Sequence, residues 1–319
     1  MKTKALALTA GLFLAVSAAH AQDKVGTATA QFLKVGVSAR AVGMGDATVA
    51  ATDDASGLYY NPASITAIPG GEAVLSHIDL YHGAGVSYEF AGVVLPTYVA
   101  SGRVGISFQA LRTDDMPETT PLDPTGTGRN FRSSEYGLAG TYALDLTDKF
   151  SAGFTFRFVS SFLADLEPIR DEPAVDASAR SWGIDIGTLY RTGYHGINFG
   201  MAISNFGPDL IYLVEAAPLP INFKVGVAAD LFRTEVHALQ LAAEGSHPND
   251  NRERANVGAE YTLRDWVALR GGYRFRYDDE TWSVGGGVYL ADGAAKFDYA
   301  YTAGDILPDV HRYSLGIRF

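Results

Sequence analysis

The nine residues that end the chain, His311 to Phe319 (HRYSLGIRF), restrict its folding options more than any other stretch. Tyr313, Leu315, Ile317 and Phe319 share one side of a two-residue period, and Arg312, Ser314, Gly316 and Arg318 share the other, which reads as a strand. Chain ends usually fray in water, so a last strand with a wholly apolar face and a terminal aromatic has two outlets. It can be the edge of a soluble sandwich. It can also be the closing strand of a transmembrane barrel, pairing with the first strand and turning its apolar face to lipid, with Phe319 marking the closure.

The same period recurs along the chain. Val104, Ile106, Phe108 and Ala110 alternate with Arg103, Gly105, Ser107 and Gln109; Phe150, Ala152, Phe154, Phe156 and Phe158 alternate with Ser151, Gly153, Thr155 and Arg157. Fourteen such segments are predicted, at 73–81, 84–95, 101–113, 131–145, 149–162, 178–192, 195–206, 221–232, 235–247, 253–264, 266–277, 281–291, 293–303 and 311–319. Short turns follow most even-numbered segments, while the long connections (114–130, 164–176, 207–220 and 305–309) follow odd-numbered ones; the sorting is imperfect, since the odd-numbered connections 82–83 and 278–280 are also short. A barrel with turns at one rim and loops at the other sorts its connections this way, and a sandwich has no reason to. The fold class expected is therefore all-β, a 14-stranded antiparallel transmembrane barrel with both termini on the periplasmic side and outer-membrane lipid around it.

Composition agrees where it is informative. Gly 35, Tyr 17 and Phe 17 against Met 4 and Cys 0 favour strands and turns. No run of about 18 apolar residues follows the first 21 positions, which disfavours helical membrane spans. Residues 1–21 carry Lys2 and Lys4, an apolar run from Ala5 to Ala18 and the small-x-small end Ala19-His20-Ala21, the pattern of a secretory leader cleaved near Ala21. The formal net charge of −11 becomes −13 once those lysines leave, which argues against nucleic acid as a partner.

Between leader and barrel, residues 22–70 are rich in small side chains and lack sustained alternation. Gly43 and Gly45 permit a tight turn around Met44, Asp53 or Asp54 can cap a short helix running to Tyr60, and Asn61-Pro62 reads as an N-cap and first-turn proline opening another turn through Ala63. This segment is expected to plug the barrel that follows at 71–319.

The set Phe32-Leu33-Lys34, Ala39-Arg40-Ala41, Gly43-Met44-Gly45, Ala50, Asp53-Asp54-Ala55 and Tyr60-Asn61-Pro62-Ala63 resembles the N-terminal signature of the PorV/PorQ family of outer-membrane proteins. That family is similar in turn to FadL-type transporters, which carry an Asn-Pro-Ala near the same place. The resemblance implies a 14-stranded barrel with an N-terminal plug. For some members it also implies a role in type IX secretion, receiving secreted cargo at the outer membrane.

Three sets of residues are candidates for function beyond the plug. Arg270, Arg274 and Arg276 are predicted to face the lumen, either greeting an anionic head group or pairing with Glu260, Asp298, Asp53 and Asp54. Leu210, Ile211, Tyr212, Leu213 and Val214 form an apolar cluster in a long loop, which must fold into the barrel mouth or meet a partner. The acidic loop residues, Asp114 and Asp115 among them, read as solvated charge rather than a calcium site, for want of ligand spacing.

No zinc-protease, nucleophile-elbow, phosphate-loop or dinucleotide motif occurs, so no catalytic residue, metal or cofactor is assigned. Three readings remain open: a non-catalytic component of protein export or surface attachment, contacting secreted cargo or secretion-system proteins; a channel for a hydrophobic small molecule gated by residues 32–63; and a merely structural barrel.

Overall fold

Alternation becomes wall in a computed structural model that describes residues 25–98, 101–119, 123–166, 175–212, 215–291 and 293–319. Seven strands form the first half of the barrel: β1 (Glu72–Leu80), β2 (Val86–Pro96), β3 (Arg103–Thr113), β4 (Ser134–Asp145), β5 (Phe150–Leu166), β6 (Val175–Arg191) and β7 (Asn198–Phe206). The second half holds β8 (Asn222–Arg233), β9 (His237–Pro248), β10 (Arg254–Leu263) and β11 (Val267–Phe275), then β12 (Trp282–Leu290), β13 (Ala295–Thr302) and β14 (Val310–Arg318). Each pairs antiparallel with its sequence neighbours, and β14 pairs with β1 from Glu72↔Arg318 to Asp79↔His311, closing the barrel. No sheet edge is left, as a strand wall in lipid requires.

The apolar faces point outward. Ile106, Phe156, Val225, Leu269, Val284 and Ile317 are exposed, while their strand neighbours Ser107, Arg157, Ser283 and Arg270 are buried. This inverts a soluble protein, and so continuous an apolar belt belongs in acyl chains. Among the described residues no helix is long and apolar enough to cross a membrane; the crossing elements are strands.

The turns after even-numbered strands gather at the rim where β1 begins and β14 ends, and the longer connections gather at the opposite rim. Residues 25–71 run through the interior in short pieces: a 3-10 turn at Gln31–Lys34, α1 (Ala39–Gly43), α2 (Gly57–Tyr60) and a second 3-10 turn at Pro62–Ala67. The two ends of the described chain lie at different rims. The Thr29 N–H donates to Pro218 O on the loop between β7 and β8, and Lys34 reaches Asp250 in the turn after β9, both at the loop rim. Phe319 instead exchanges backbone hydrogen bonds with Gly71 at the other rim. The plug enters the lumen at one rim and becomes strand at the other, a path that local sequence patterns do not encode.

Candidate functional site

An irregular segment can be buried only if something hydrogen-bonds its backbone, and here the wall's side chains do so. The Glu244 carboxylate on β9 accepts from the Thr48 and Val49 N–H groups at 3.0 and 2.9 Å. Ser314 Oγ on β14 accepts from Ala39 N at 2.9 Å, and Ser283 Oγ on β12 donates to Val42 O at 2.5 Å. Asn61, fully buried, caps the 3-10 turn by accepting from Ala63 N while its amide donates to Val49 O and to Thr188 O on β6. The Asn-Pro-Ala motif thus ties the plug to itself and to the wall.

Glycines let the two backbones meet. Gly45 (φ +65°) closes the turn after Met44, and a side chain on Gly272 of β11 would collide with its backbone. Likewise a side chain on Gly258 of β10 would collide with Met44 O. Met44 itself is buried with Ala47, Ala50, Ala51, Ala228 and Ala242.

Charge pins the same contact. Arg270, its side chain fully enclosed, donates to Glu260 at 2.5 Å and to Asp298 at 2.7 Å, and also meets Tyr289. Arg40 of α1 reaches the other Glu260 oxygen at 2.9 Å, Asp54 at 3.5 Å and Asp53. Asp54 also accepts from Ser56 N, bracing the turn ahead of α2 instead of capping it, since α2 begins after Ser56 without a side-chain cap. Arg274 pairs with the plug's Asp46 at 2.7 Å and with Glu280 at 3.0 Å, and Glu280 also meets Arg312. Of the two readings of these arginines, the structural network describes Arg270 and Arg274. Arg276 does not join it: it lies past the end of β11 in a left-handed turn (φ 64°), exposed, because the strand's alternation stops at Phe275.

Above the plug, toward the loop rim, a cavity of about 460 Å³ remains. Phe32, Leu33, Tyr59 and Leu111 make one side apolar; Asn205, Asn222, Lys224 and Arg254 make the other polar, with Asp278 and Leu307 exposed at its rim. Eleven of its 29 lining residues are ionisable Asp, Glu, Lys or Arg, a poor match to a purely hydrophobic solute. Buried Arg157 on β5 donates to Asp185 on β6 at 2.5 Å, and Asp185 accepts from the N–H of Asn205, held in the left-handed region at a bulge between β6 and β7. The loop between β7 and β8 covers this side. Leu210 is wholly buried in the interior cluster, Ile211 is exposed, and Tyr212 packs against the buried cluster within a small hairpin, Leu210–Tyr212 with Glu215–Ala217. Leu213 and Val214 lie outside the described residues.

Sequence reasoning missed the plug's own Asp46 as the partner of Arg274, Glu244 as an acceptor for the plug backbone, Glu280 as the acid between Arg274 and Arg312, and Asp250, which holds Gln31 and Lys34 at 2.9 Å each. Glu244 was accessible as an inward position of a period-two strand; the others sit in turns, where alternation carries no signal. Asp250 lies outside the strands: burial opposes its charge, but the hydrogen bonds from Gln31 and Lys34 prevail and hold its carboxyl below the usual range. At the exposed hairpin Met116–Pro117 with Asn130–Phe131, Asp115 and Glu118 are ion-paired with Arg132 and Arg129, and those hydrogen bonds lower both carboxyls. Among the described residues no three His, Asp or Glu gather as metal ligands.

A closed 14-stranded barrel, apolar outside and filled by an N-terminal plug, is an outer-membrane barrel of the FadL-like class, and solved structures agree. The chain is similar to the Ralstonia pickettii toluene transporter TbuX (17% identity, TM-score 0.59, covering 89% of this chain and 98% of that one). It is also similar to a Pseudomonas aeruginosa FadL homologue (14%, 0.57, 89% and 98%) and to the Pseudomonas putida toluene transporter TodX (14%, 0.55, 88% and 96%). At these identities the likeness is one of fold. The model of the type IX secretion system protein PorV matches residues 18–247, and the chain belongs to that family of non-catalytic outer-membrane barrels. No curated protein matches it.

Proposed function

We propose that this barrel acts in export as a receptor rather than a conduit, with the cavity at the loop rim receiving a segment of an exported or secretion-system protein. One observation carries the reading: beneath the cavity the lumen is filled by a plug held to the wall by buried ion pairs, Arg40 with Glu260 and Asp46 with Arg274. Breaking one such pair costs about 3–5 kcal/mol, so the interior favours staying shut. In this reading the loop rim faces the cell exterior, residues 1–21 are removed on export, and the loop from Gly207 to Pro220 meets the partner through Ile211. Arg40, Asp53, Asp54 and the Asn61-Pro62-Ala63 turn hold the plug.

The alternative, passage of a hydrophobic solute, has the apolar side of the cavity and the solute named for the similar toluene transporters in its favour. Locking the plug separates the two. A Cβ on Gly43 would stand 3.3 Å from Gly285 Cα, and the chain has no cysteine of its own, so G43C/G285C can form a unique cross-link. The receptor reading expects secretion and surface attachment to survive oxidation of this pair and to fail when Ser246→Trp fills the cavity. Loss of export in the locked protein, with export intact in the filled one, would overturn it.

A further inference from the structure

The acidity of this chain is not spread over the barrel. The fourteen strands are balanced, with thirteen Lys or Arg against twelve Asp or Glu. The described turns at the rim where β1 begins are nearly balanced too, with Asp148, Glu235 and Asp265 against Lys149 and Arg264. The described connections at the loop rim hold thirteen Asp or Glu against four Arg and no Lys. Almost all of the negative charge therefore stands around the mouth of the cavity, and its field reaches about 8 Å into solvent at physiological salt. Part of it is already matched: Asp115 by Arg132, Glu118 by Arg129, Asp278 by Arg252, and Glu280 by Arg274 and Arg312. Asp209 and Glu215 on the loop between β7 and β8, and Asp305 after β13, are exposed and make no ion pair. Asp279, which lines the cavity, accepts from the N–H groups of Asp305 and Ile306 through one oxygen and has no protein partner at the other.

Below the mouth the cavity wall has hydrogen-bonding groups left over. Arg157 and Asn205, 2% and 3% exposed, both line the cavity and are joined through Asp185. Arg157 gives one nitrogen to Asp185, but its Nε and Nη1 meet no protein acceptor. Asn205 gives its amide to Pro220 O, but its Oδ1 meets no protein donor, and the same holds for Oδ1 of Asn222 on β8. Buried polar groups are nearly always paired, so spare donors and acceptors in one cavity wall point to a ligand that brings both. A hydrocarbon offers them nothing, and an anion would satisfy Arg157 alone. An extended main chain offers N–H and C=O groups together.

We infer that the cavity takes the extended main chain of a basic protein segment: its N–H groups meet Asn205 and Asn222, its carbonyls meet Arg157, and its Lys or Arg side chains are held at the mouth by Asp209, Glu215, Asp279 and Asp305. The inference rests on the receptor reading above and adds the chemistry of what is received. Attraction by the loops speeds and orients entry, and main-chain bonds then hold the segment without reading its apolar side chains.

The test is fluorescence anisotropy on the purified barrel in an uncharged detergent, with three end-blocked octapeptides: alternating Lys and Gly, alternating Glu and Gly, and alternating Lys and N-methylglycine, which lacks every second main-chain N–H. The Lys-Gly peptide is expected to bind, and to lose about tenfold in affinity both on raising salt and in the variant Asp209→Asn/Glu215→Gln/Asp305→Asn. N-methylation, or Asn222→Leu, should weaken binding about tenfold while leaving its salt dependence unchanged. Ser246→Trp, which fills the cavity, should abolish it. The peptide comparisons need no variant, so a substitution that fails to give a heat-modifiable barrel leaves the test intact. Equal binding of the Glu-Gly peptide, equal binding of the N-methylated one, or binding unchanged by Ser246→Trp would each overturn the inference. If no peptide binds while Ser246→Trp still abolishes export in cells, the inference falls and the receptor reading stands; if Ser246→Trp leaves export intact, both fall.

Discussion

Arg270 on β11 and Glu260 on β10 meet on the lumen side of one hairpin at 2.5 Å, and the plug's Arg40 takes the second oxygen of the same carboxylate at 2.9 Å. Plug and wall therefore share one buried acid, and the strength of that sharing governs whether the interior is a fixed core or a movable gate.

Replacing Arg270 with Met strands Asp298 and leaves Glu260 with Arg40 alone. The expected loss is about 3–5 kcal/mol, seen as a lower urea midpoint for unfolding in detergent. Arg132→Met at the exposed pair with Asp115 should leave the midpoint nearly unchanged in the same measurement. Equal effects would show that the buried network is not what holds the interior.

Gly272→Val drives a branched side chain into the Gly45 backbone, whereas Gly271→Val, one residue along, meets nothing within 4 Å. The first variant is expected to unseat the plug and speed limited proteolysis within residues 25–60, and the second to leave it protected. Both should still migrate as heat-modifiable barrels, because the substitutions leave the strand pairing intact.

Acid should loosen the start of the plug. The folded state holds the Asp250 carboxyl below the usual range, so the tie to Gln31 and Lys34 is fully present above the ordinary aspartate value of about 4 and is lost as pH falls through the folded value. Proteolysis at the Gln31–Lys34 turn by an acid-active protease should rise over that window. In Asp250→Asn it should be high already at neutral pH and change little.

Because Thr29 and Lys34 are tied to the loop rim, an epitope placed just before Val25 should label on whole cells together with one inserted at Gly126. An epitope at Gly193, in the turn between β6 and β7 at the opposite rim, should label only after the outer membrane is opened. Co-labelling of the first and third would refute the threaded path.

All fourteen strands were legible in the sequence to within a few residues, because each must keep one face in lipid and one in the lumen, and a two-residue period records that directly. Phe154, Phe156 and Phe158 against Thr155 and Arg157 needed no tertiary information. The Asn61-Pro62 cap was legible for the same local reason. The direction in which residues 25–71 traverse the lumen was not, since it depends on contacts such as Lys34 with Asp250, 216 positions apart. Nor was the end of alternation at Phe275, which turned Arg276 out of the interior, or the choice of Asp46 over Asp53 as the partner of Arg274.

The seam between β1 and β14 joins eight residue pairs around a segment that precedes β1 in the chain and enters from the far rim. Such a cylinder leaves no side entrance, so the upstream chain is either in place when the two end strands meet or must thread in afterwards through a rim. Either route makes the filling of the interior a step of its own, separate from closure of the wall.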